Sequence, residues 1–245
     1  MQWFENEDFW RDLYPYMFPP ERFAAAASDV TKILALTGFS GRTVLDLCCG
    51  PGRHAVEFAQ RGYQVTAVDR SSFLLDRARE RAAEAGVSVE WIADDMRHFR
   101  RPVAFDLACN IFTSFGYFES EEEDLHVLRN VHESLTGEGV FLMEIMGKER
   151  VAKNWQSAFC TEYADGSLLL QRPQVRNDWR RIYNEWTLIK EGRVETFRFE
   201  HSIYSGRELH DRLLAAGFHD VQLYGDLERA PYGLDALRLV ALARK

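Results

Sequence analysis

The chain has 245 residues, a formal net charge of −8 and 46% hydrophobic residues, which suits one large α/β domain or one domain with a sizeable insertion. The acidic balance argues against broad contact with nucleic acid or an anionic membrane, and no stretch is long and apolar enough to span a bilayer. Its four cysteines, Cys48, Cys49, Cys109 and Cys160, contain no Cys-x-x-Cys pair, so the expectation is reduced thiols in a cytoplasmic protein.

The first twenty residues carry Glu5, Glu7, Asp8 and Asp12 against a single basic residue, Arg11, unlike a secretory signal. They are rich in aromatics (Trp3, Phe4, Phe9, Trp10, Tyr14, Tyr16, Phe18), which fits a lid over a pocket or a helix covering core surface. The spacing of Phe23, Ala27, Val30 and Leu34 predicts a helix over 20–36, with Gly38 beyond its end. A strand follows at 43–47 and runs into Asp46-Leu47-Cys48-Cys49-Gly50-Pro51-Gly52-Arg53, a glycine turn that opens a helix over about 53–61. Strand 64–69 ends at Asp69. Ser71 or Ser72 caps a helix stopping at Gly86, and strands are expected at 87–93 and 105–111. Ser120 and Glu123 form a capping box for a helix bearing Leu125, Leu128, Val131 and Leu135 and ending at Gly137, before strand 139–146. Five strand–helix alternations require a parallel sheet covered on both faces.

The pattern then changes. Residues 161–171 hold Asp165-Gly166, favoured in tight hairpin turns, and 180–190 and 193–204 are long alternating strands joined at Glu191-Gly192. Residues 151–204 therefore read as an antiparallel β insertion, a roof over an acceptor pocket or a dimer contact, between a main domain of residues 1–150 and 205–245. Ser205 and Glu208 cap the next helix, and 221–224 and 238–243 supply the last two strands. Arg172, Arg176, Arg180 and Arg181 are interleaved with Asp178 and Glu185, as on a solvated strand face rather than a nucleic-acid surface.

A glycine turn beside Asp69 can cradle a nucleoside ligand, because a carboxylate at that strand tip accepts bonds from two ribose hydroxyls. That geometry fits both a nicotinamide cofactor and S-adenosylmethionine. Three features favour the second: Ala55 stands where the third glycine of Gly-x-Gly-x-x-Gly belongs, Asp46 precedes Gly50 by four residues, and Asp94-Asp95 follow the third strand. Residues 44–59, 65–71, 92–96 and 105–111 resemble, in order and spacing, successive motifs of the class I S-adenosylmethionine-dependent methyltransferases, and 238–245 is similar to that family's closing strand. The resemblance implies a Rossmann-like doubly wound mixed sheet of order 3-2-1-4-5-7-6, with strand seven antiparallel. It implies that Gly50 and Gly52 admit the methionine part of the cofactor and that Asp46 orients the turn or reaches the methionine ammonium through water. Asp69 would hold the ribose, Asp95 the adenine amino group and the Met96 N–H the adenine ring, while Asn110 would offer its carbonyl to the ammonium. Asp94 reads as a turn cap.

Methyl transfer from a sulfonium is an in-line displacement that needs alignment and, for some nucleophiles, a base. It needs no metal, and none is expected: His126 and His132 lie on a helix without a clustered ligand set. The segment 110–118 is not an Asn-Pro-Pro-Tyr motif, and no Pro-Cys pair exists, so base-methylating chemistries are not supported. What remains is an aromatic, hydroxylic loop suited to a small, partly apolar acceptor. Glu144, at the end of strand five, is the leading candidate to take the acceptor's proton. His54, in the first helical turn, is a second candidate or a structural cap. His201, Tyr204, Tyr14 and Tyr16 read first as packing or surface. The expected function is methylation of a small-molecule oxygen or nitrogen by a monomer or homodimer, in a pattern similar to bacterial small-molecule and amino-sugar N-methyltransferases. The alternatives are a non-catalytic S-adenosylmethionine-binding module and a nicotinamide-dependent oxidoreductase.

Overall fold

Strand and helix periodicities along the chain resolve into two sheets in the computed structural model, which describes residues 2–245. After a 3-10 turn at Trp3–Glu5 come α1 (Glu7–Met17), α2 (Pro20–Ala24), α3 (Ala26–Thr37), β1 (Thr43–Leu47), α4 (Arg53–Gln60), β2 (Gln64–Asp69), α5 (Ser72–Glu84), β3 (Glu90–Ala93), β4 (Phe105–Asn110), α6 (Glu121–Ser134) and β5 (Leu135–Ile145). Then follow α7 (Lys148–Lys153), β6 (Phe159–Glu162), β7 (Leu168–Arg176), β8 (Arg181–Lys190), β9 (Arg193–Ser202), α8 (Gly206–Ala215), β10 (His219–Tyr224) and β11 (Leu239–Arg244).

The seven-stranded sheet runs β3-β2-β1-β4-β5-β11-β10. Its first five strands are parallel, whereas β11 lies antiparallel to β5 and β10 antiparallel to β11. This is the expected 3-2-1-4-5-7-6 order, with the four insertion strands left out of the count. Alternate residues of one strand face opposite layers. Leu45, Leu47, Ala108, Phe141 and Met143 pack with Val127, Leu128 and Val131 of α6 and Leu209 and Leu213 of α8. Val44, Leu107, Cys109, Val140 and Leu142 pack on the other side with Val30 and Ile33 of α3 and Phe58 of α4. Each fully buried Leu or Phe contributes about 1.5–3 kcal/mol, so both faces of the sheet are needed to hold the strand tips in register.

Boundaries differ in three places. The helix expected over 20–36 is α2 and α3, joined at Ala25 and stopped by Gly38 in the left-handed region (φ +60°). Strand three starts later, because Val87 still donates to the Ala82 carbonyl at 3.0 Å and closes the preceding helix. Gly137 does not end α6. The helix passes directly into β5 at Leu135, and the register shift between Phe105 and Leu107 marks a bulge where glycines 137 and 139 sit.

The second sheet, β6-β7-β8-β9, is antiparallel throughout. Glu191 (φ +51°) and Gly192 (φ +75°) make its β8–β9 turn with positive φ at both central residues, the type that matches strand twist. Leu169, Leu188, Phe197 and Phe199 on one face pack against Phe9, Leu13 and Tyr16 of α1, and the Tyr16 hydroxyl donates to Ser167 Oγ at 2.8 Å. Phe4, just before α1, packs instead into the core of the large sheet. The aromatic N-terminal segment therefore covers core and bridges the two sheets. The arginines of this sheet face carboxylates: Arg176 and Arg181 pair with Glu200 at 3.2 and 2.8 Å, Arg172 lies 3.6 Å from Glu185, and Arg180 lies 3.8 Å from Glu121. Among the described residues no helix is long and apolar enough to cross a membrane.

The Tyr204 hydroxyl donates to the fully buried Asp124 Oδ2 at 2.5 Å, tying the end of the insertion to α6. Burial, opposed by that bond and by the charge of Arg212, pushes the Asp124 pKa up from 3.8 to about 7. The folded state then binds the extra proton, so this group's contribution to stability is lost as pH rises from about 4 through about 7. Asp124→Asn should flatten that slope: between pH 5 and 7.5 the melting temperature of the wild type should fall more than that of the variant. Parallel curves would show that Asp124 does not titrate in this range.

Candidate functional site: two cavities sharing one wall

β1 and β2 are parallel neighbours, so their carboxyl ends bring the 48–52 turn against the tip of β2. The turn takes left-handed backbone at Cys48 (φ +60°), Gly50 (φ +54°) and Gly52 (φ +75°). Asp69 fastens it: Gly50 N–H donates to Oδ2 at 2.8 Å and Ser71 N–H donates to Oδ1 at 2.9 Å. Each oxygen keeps acceptor capacity for a ligand. Burial pushes the Asp69 carboxyl up to about 6, against the pull of those two amides. Asp46, Asp69, Asp95, Met96, Gly50 and His54 all line the cleft above this turn. Asp46 is 2% exposed, burial raises its pKa, and its Oδ2 has no hydrogen-bond partner.

Three expected cofactor contacts are placed differently. The missing side chain of Gly52 points away from the cleft: a Cβ there would lie 2.9 Å from Ala78 Cβ and 2.9 Å from Trp91 Cη2. Gly52 therefore lets α4 pack against α5 and β3, and only Gly50 faces the ligand space. Both oxygens of Asp95 are already engaged. Arg97 donates Nε and its own N–H to Oδ1 at 3.0 and 2.9 Å, and Oδ2 accepts from Arg97 Nη2 at 2.8 Å and Arg70 Nη1 at 2.9 Å. Burial alone would raise Asp95, but these bonds outweigh it and hold its carboxyl below the ordinary value. Asn110 lies behind the lining, donating Nδ2 to the carbonyls of Leu47 and Ser114 at 3.2 Å each, with Oδ1 buried and unpartnered. Its side chain pins the loop after β4 to the end of β1.

That loop carries strain. Phe112 (φ +70°) and Thr113 (φ +58°) are both left-handed, at about 1–3 kcal/mol each. Four interactions hold them. The Arg22 and Arg53 guanidiniums lie 4.2 and 4.9 Å from the Phe112 ring centroid. Thr113 N–H donates to the Glu144 carbonyl at 3.0 Å, and the Tyr117 hydroxyl donates to the Thr113 carbonyl at 2.8 Å.

Beyond Phe112 opens a second cavity of about 500 Å³, enclosed by this loop, α7 and the inner face of the small sheet. Trp10, Met17, Phe112 and Tyr117 line both cavities and so form the wall between them. Neither expected proton acceptor reaches the second cavity. Glu144 is 9% exposed and pairs with Arg238 Nε at 2.9 Å; burial raises its pKa, with Arg238 opposing. His54 lies in the first cleft, with Nε2 3.5 Å from Asp29 Oδ2. Tyr204 is bonded to Asp124, Tyr16 to Ser167, and Tyr14 packs against Phe18 and Phe73. Of the side chains first read as packing, His201 alone lines the second cavity. Its Nδ1 is buried without a partner, and burial, aided by the Arg181 charge, lowers its pKa to about 4. Arg22 and Arg238 were missed because nothing local in the sequence marks them: they reach the cavity from α2 and the start of β11. Among the described residues no group of three or more His, Cys, Asp or Glu is arranged to hold a metal ion.

A family model described as a methyltransferase domain matches residues 44–139, the segment from β1 into β5 that builds the Asp69 turn and the strained loop. Residues 44–139 are therefore similar to a methyltransferase domain, and the whole sheet has the strand order of the class I methyltransferase fold. The chain is 29% identical over 148 residues to the dTDP-3-amino-3,4,6-trideoxy-alpha-D-glucopyranose N,N-dimethyltransferase of Streptomyces venezuelae, a match covering 60% of each chain. To the glycine/sarcosine N-methyltransferase of Aphanothece halophytica it is 24% identical over 216 residues, covering 87% of this chain and 80% of that one. The chain spans 63% and 60% of the length of two of the curated relatives it matches. Among solved structures, the CcbJ methyltransferase of Streptomyces caelestis superposes with a TM-score of 0.79 over 92% of this chain and 96% of that one, at 20% identity. The cleft fits the family's cofactor on its own evidence: the unpartnered, buried Asp46 Oδ2 suits an ammonium, and the Asp69 oxygens suit hydroxyl donors.

Gly52→Ala should cost about 1–3 kcal/mol of stability in denaturant unfolding, since it adds a methyl to a filled space at positive φ. Gly50→Ala meets nothing nearer than Phe18 at 3.7 Å, so its loss should come from backbone strain alone and be the smaller of the two. The reverse ranking would contradict the packing role of Gly52.

Proposed function

We propose that the protein transfers a methyl group from S-adenosylmethionine to an oxygen or nitrogen atom of a small molecule held in the second cavity. The shared wall of Trp10, Met17, Phe112 and Tyr117 carries this reading, because it sets a cofactor cleft and a separate, largely apolar chamber against each other. Bound S-adenosylmethionine supplies a methyl group activated on a sulfonium, open to in-line displacement. Asp69 would accept from the ribose hydroxyls, Asp46 Oδ2 would take the methionine ammonium, and Met96 would hold the adenine end. Asp95 joins them there if Arg70 releases its bond. The aromatic wall keeps water from the reacting atoms. His201, neutral at pH 7 with a free Nδ1, takes the acceptor's proton. Glu144 and His54 are positioning residues, the first for Arg238 and the second for Asp29. Residues 1–150 and 205–245 act as the methyltransferase domain, and 151–204 as the roof of the acceptor chamber.

Calorimetry with S-adenosylhomocysteine and with NAD tests the cofactor assignment, and labelled S-adenosylmethionine with metabolite pools tests transfer. Asp69→Ala should weaken S-adenosylhomocysteine binding by roughly 1–3 kcal/mol. Wild-type affinity should also fall as pH drops through about 6, where the Asp69 carboxylate protonates and loses its charge; the Ala variant should lack that dependence. An affinity untouched by the substitution would overturn the ribose role. His201→Gln should lower kcat about 10²-fold or more with S-adenosylhomocysteine affinity unchanged, and an unchanged kcat would remove His201 as proton acceptor.

A further inference from the structure

The charge of the second cavity points to its occupant, an argument that rests on the methyl-transfer reading above. Three guanidiniums, Arg22, Arg150 and Arg238, line this chamber, and no aspartate or glutamate does. Only Arg238 has a counter-charge, from Glu144 at 2.9 Å; among the described residues Arg22 and Arg150 make no ion pair. Arg22 Nη1 is buried without a hydrogen-bond partner. Burial, reinforced by the like charges of Arg53 and Arg238, lowers the Arg22 pKa, so positive charge is crowded here beyond what the protein itself neutralises.

Two other unpartnered polar atoms of the lining lean the same way: Trp3 Nε1 and Asn184 Nδ2 are buried donors with no acceptor. Buried donors without acceptors cost free energy that an oxygen-rich ligand recovers. A cationic or neutral occupant would leave the guanidiniums uncompensated in a low-dielectric site. Phe9, Trp10, Trp155, Trp186 and Phe199 add a broad aromatic surface to the lining.

We infer that the methyl acceptor is an anion, a small molecule with a carboxylate or phosphate on an apolar body, whose charged group lies against Arg22 and Arg238. Guanidinium forks pair with either oxyanion, and the small sheet's aromatic face receives the body.

The test is calorimetry on the full chain saturated with S-adenosylhomocysteine, with phenylacetate, phenyl phosphate and the neutral phenylacetamide as probes. At least one anion should bind about tenfold or more tighter than the amide, the scale of one charge-assisted hydrogen bond. Which anion binds tighter tells carboxylate from phosphate. The preference should shrink as sodium chloride is raised, a readout on the unmodified protein, and should collapse in Arg22→Gln, whose S-adenosylhomocysteine affinity reports that it is folded. Equal or undetectable binding of all three probes, or a preference that survives in Arg22→Gln, overturns the inference while leaving methyl transfer intact. Failure of the wild type to bind S-adenosylhomocysteine overturns the methyl-transfer reading instead, and the acceptor assignment with it.

Discussion

The Asp69 carboxylate, bonded at once to the amides of Gly50 and Ser71, is the joint on which the site depends. Parallel strands end together at one edge, but an edge alone gives only loose loops. A single half-buried carboxylate that accepts from both the 48–52 turn and the cap of α5 fixes those loops relative to each other. Its raised pKa shows the energetic tension: burial disfavours the charge, and the two amides restore part of what solvent gave. A ligand that adds donors to the same oxygens completes what the protein leaves unfinished.

The second organising constraint is the strained loop after β4. Left-handed Phe112 and Thr113 persist because Arg22, Arg53 and Glu144 hold them from three separate elements and Tyr117 holds them from within the loop. The strain places the Phe112 side chain where the two cavities adjoin. Arg22, one of the two arginines that stack on the ring, also lines the second cavity, so one side chain bears on both the strained loop and the charge of the neighbouring space.

Much of the fold is legible from the sequence because it is written in local terms: the capping boxes at Ser120 and Ser205, the Glu191-Gly192 turn and the apolar strands all appear where expected. Departures occur where a glycine serves another purpose, as Gly137 does within bulged β5 and Gly52 against Ala78. Within the site, Asp69 and Asp46 stand out because strand-end acids beside a glycine turn are a local pattern. Asp95 lines the cleft where its strand-end position puts it, but its partners Arg70 and Arg97 are brought to it by the three-dimensional fold and leave no local pattern. Glu144 is correctly placed at the sheet's carboxyl edge, yet Arg238 from a strand nearly a hundred residues later takes up its carboxylate. Arg22 has no periodicity or motif to announce it.

The N-terminal helix α1 contributes Trp10 and Met17 to both cavities while packing on the small sheet and sending Glu7 to the Ser71 hydroxyl. A single element thus lines both spaces. A change on its inner face therefore reaches both at once: a substitution of Trp10 or Met17 reshapes the cleft above the glycine turn and the second cavity together, from a helix far in sequence from the loop that faces them.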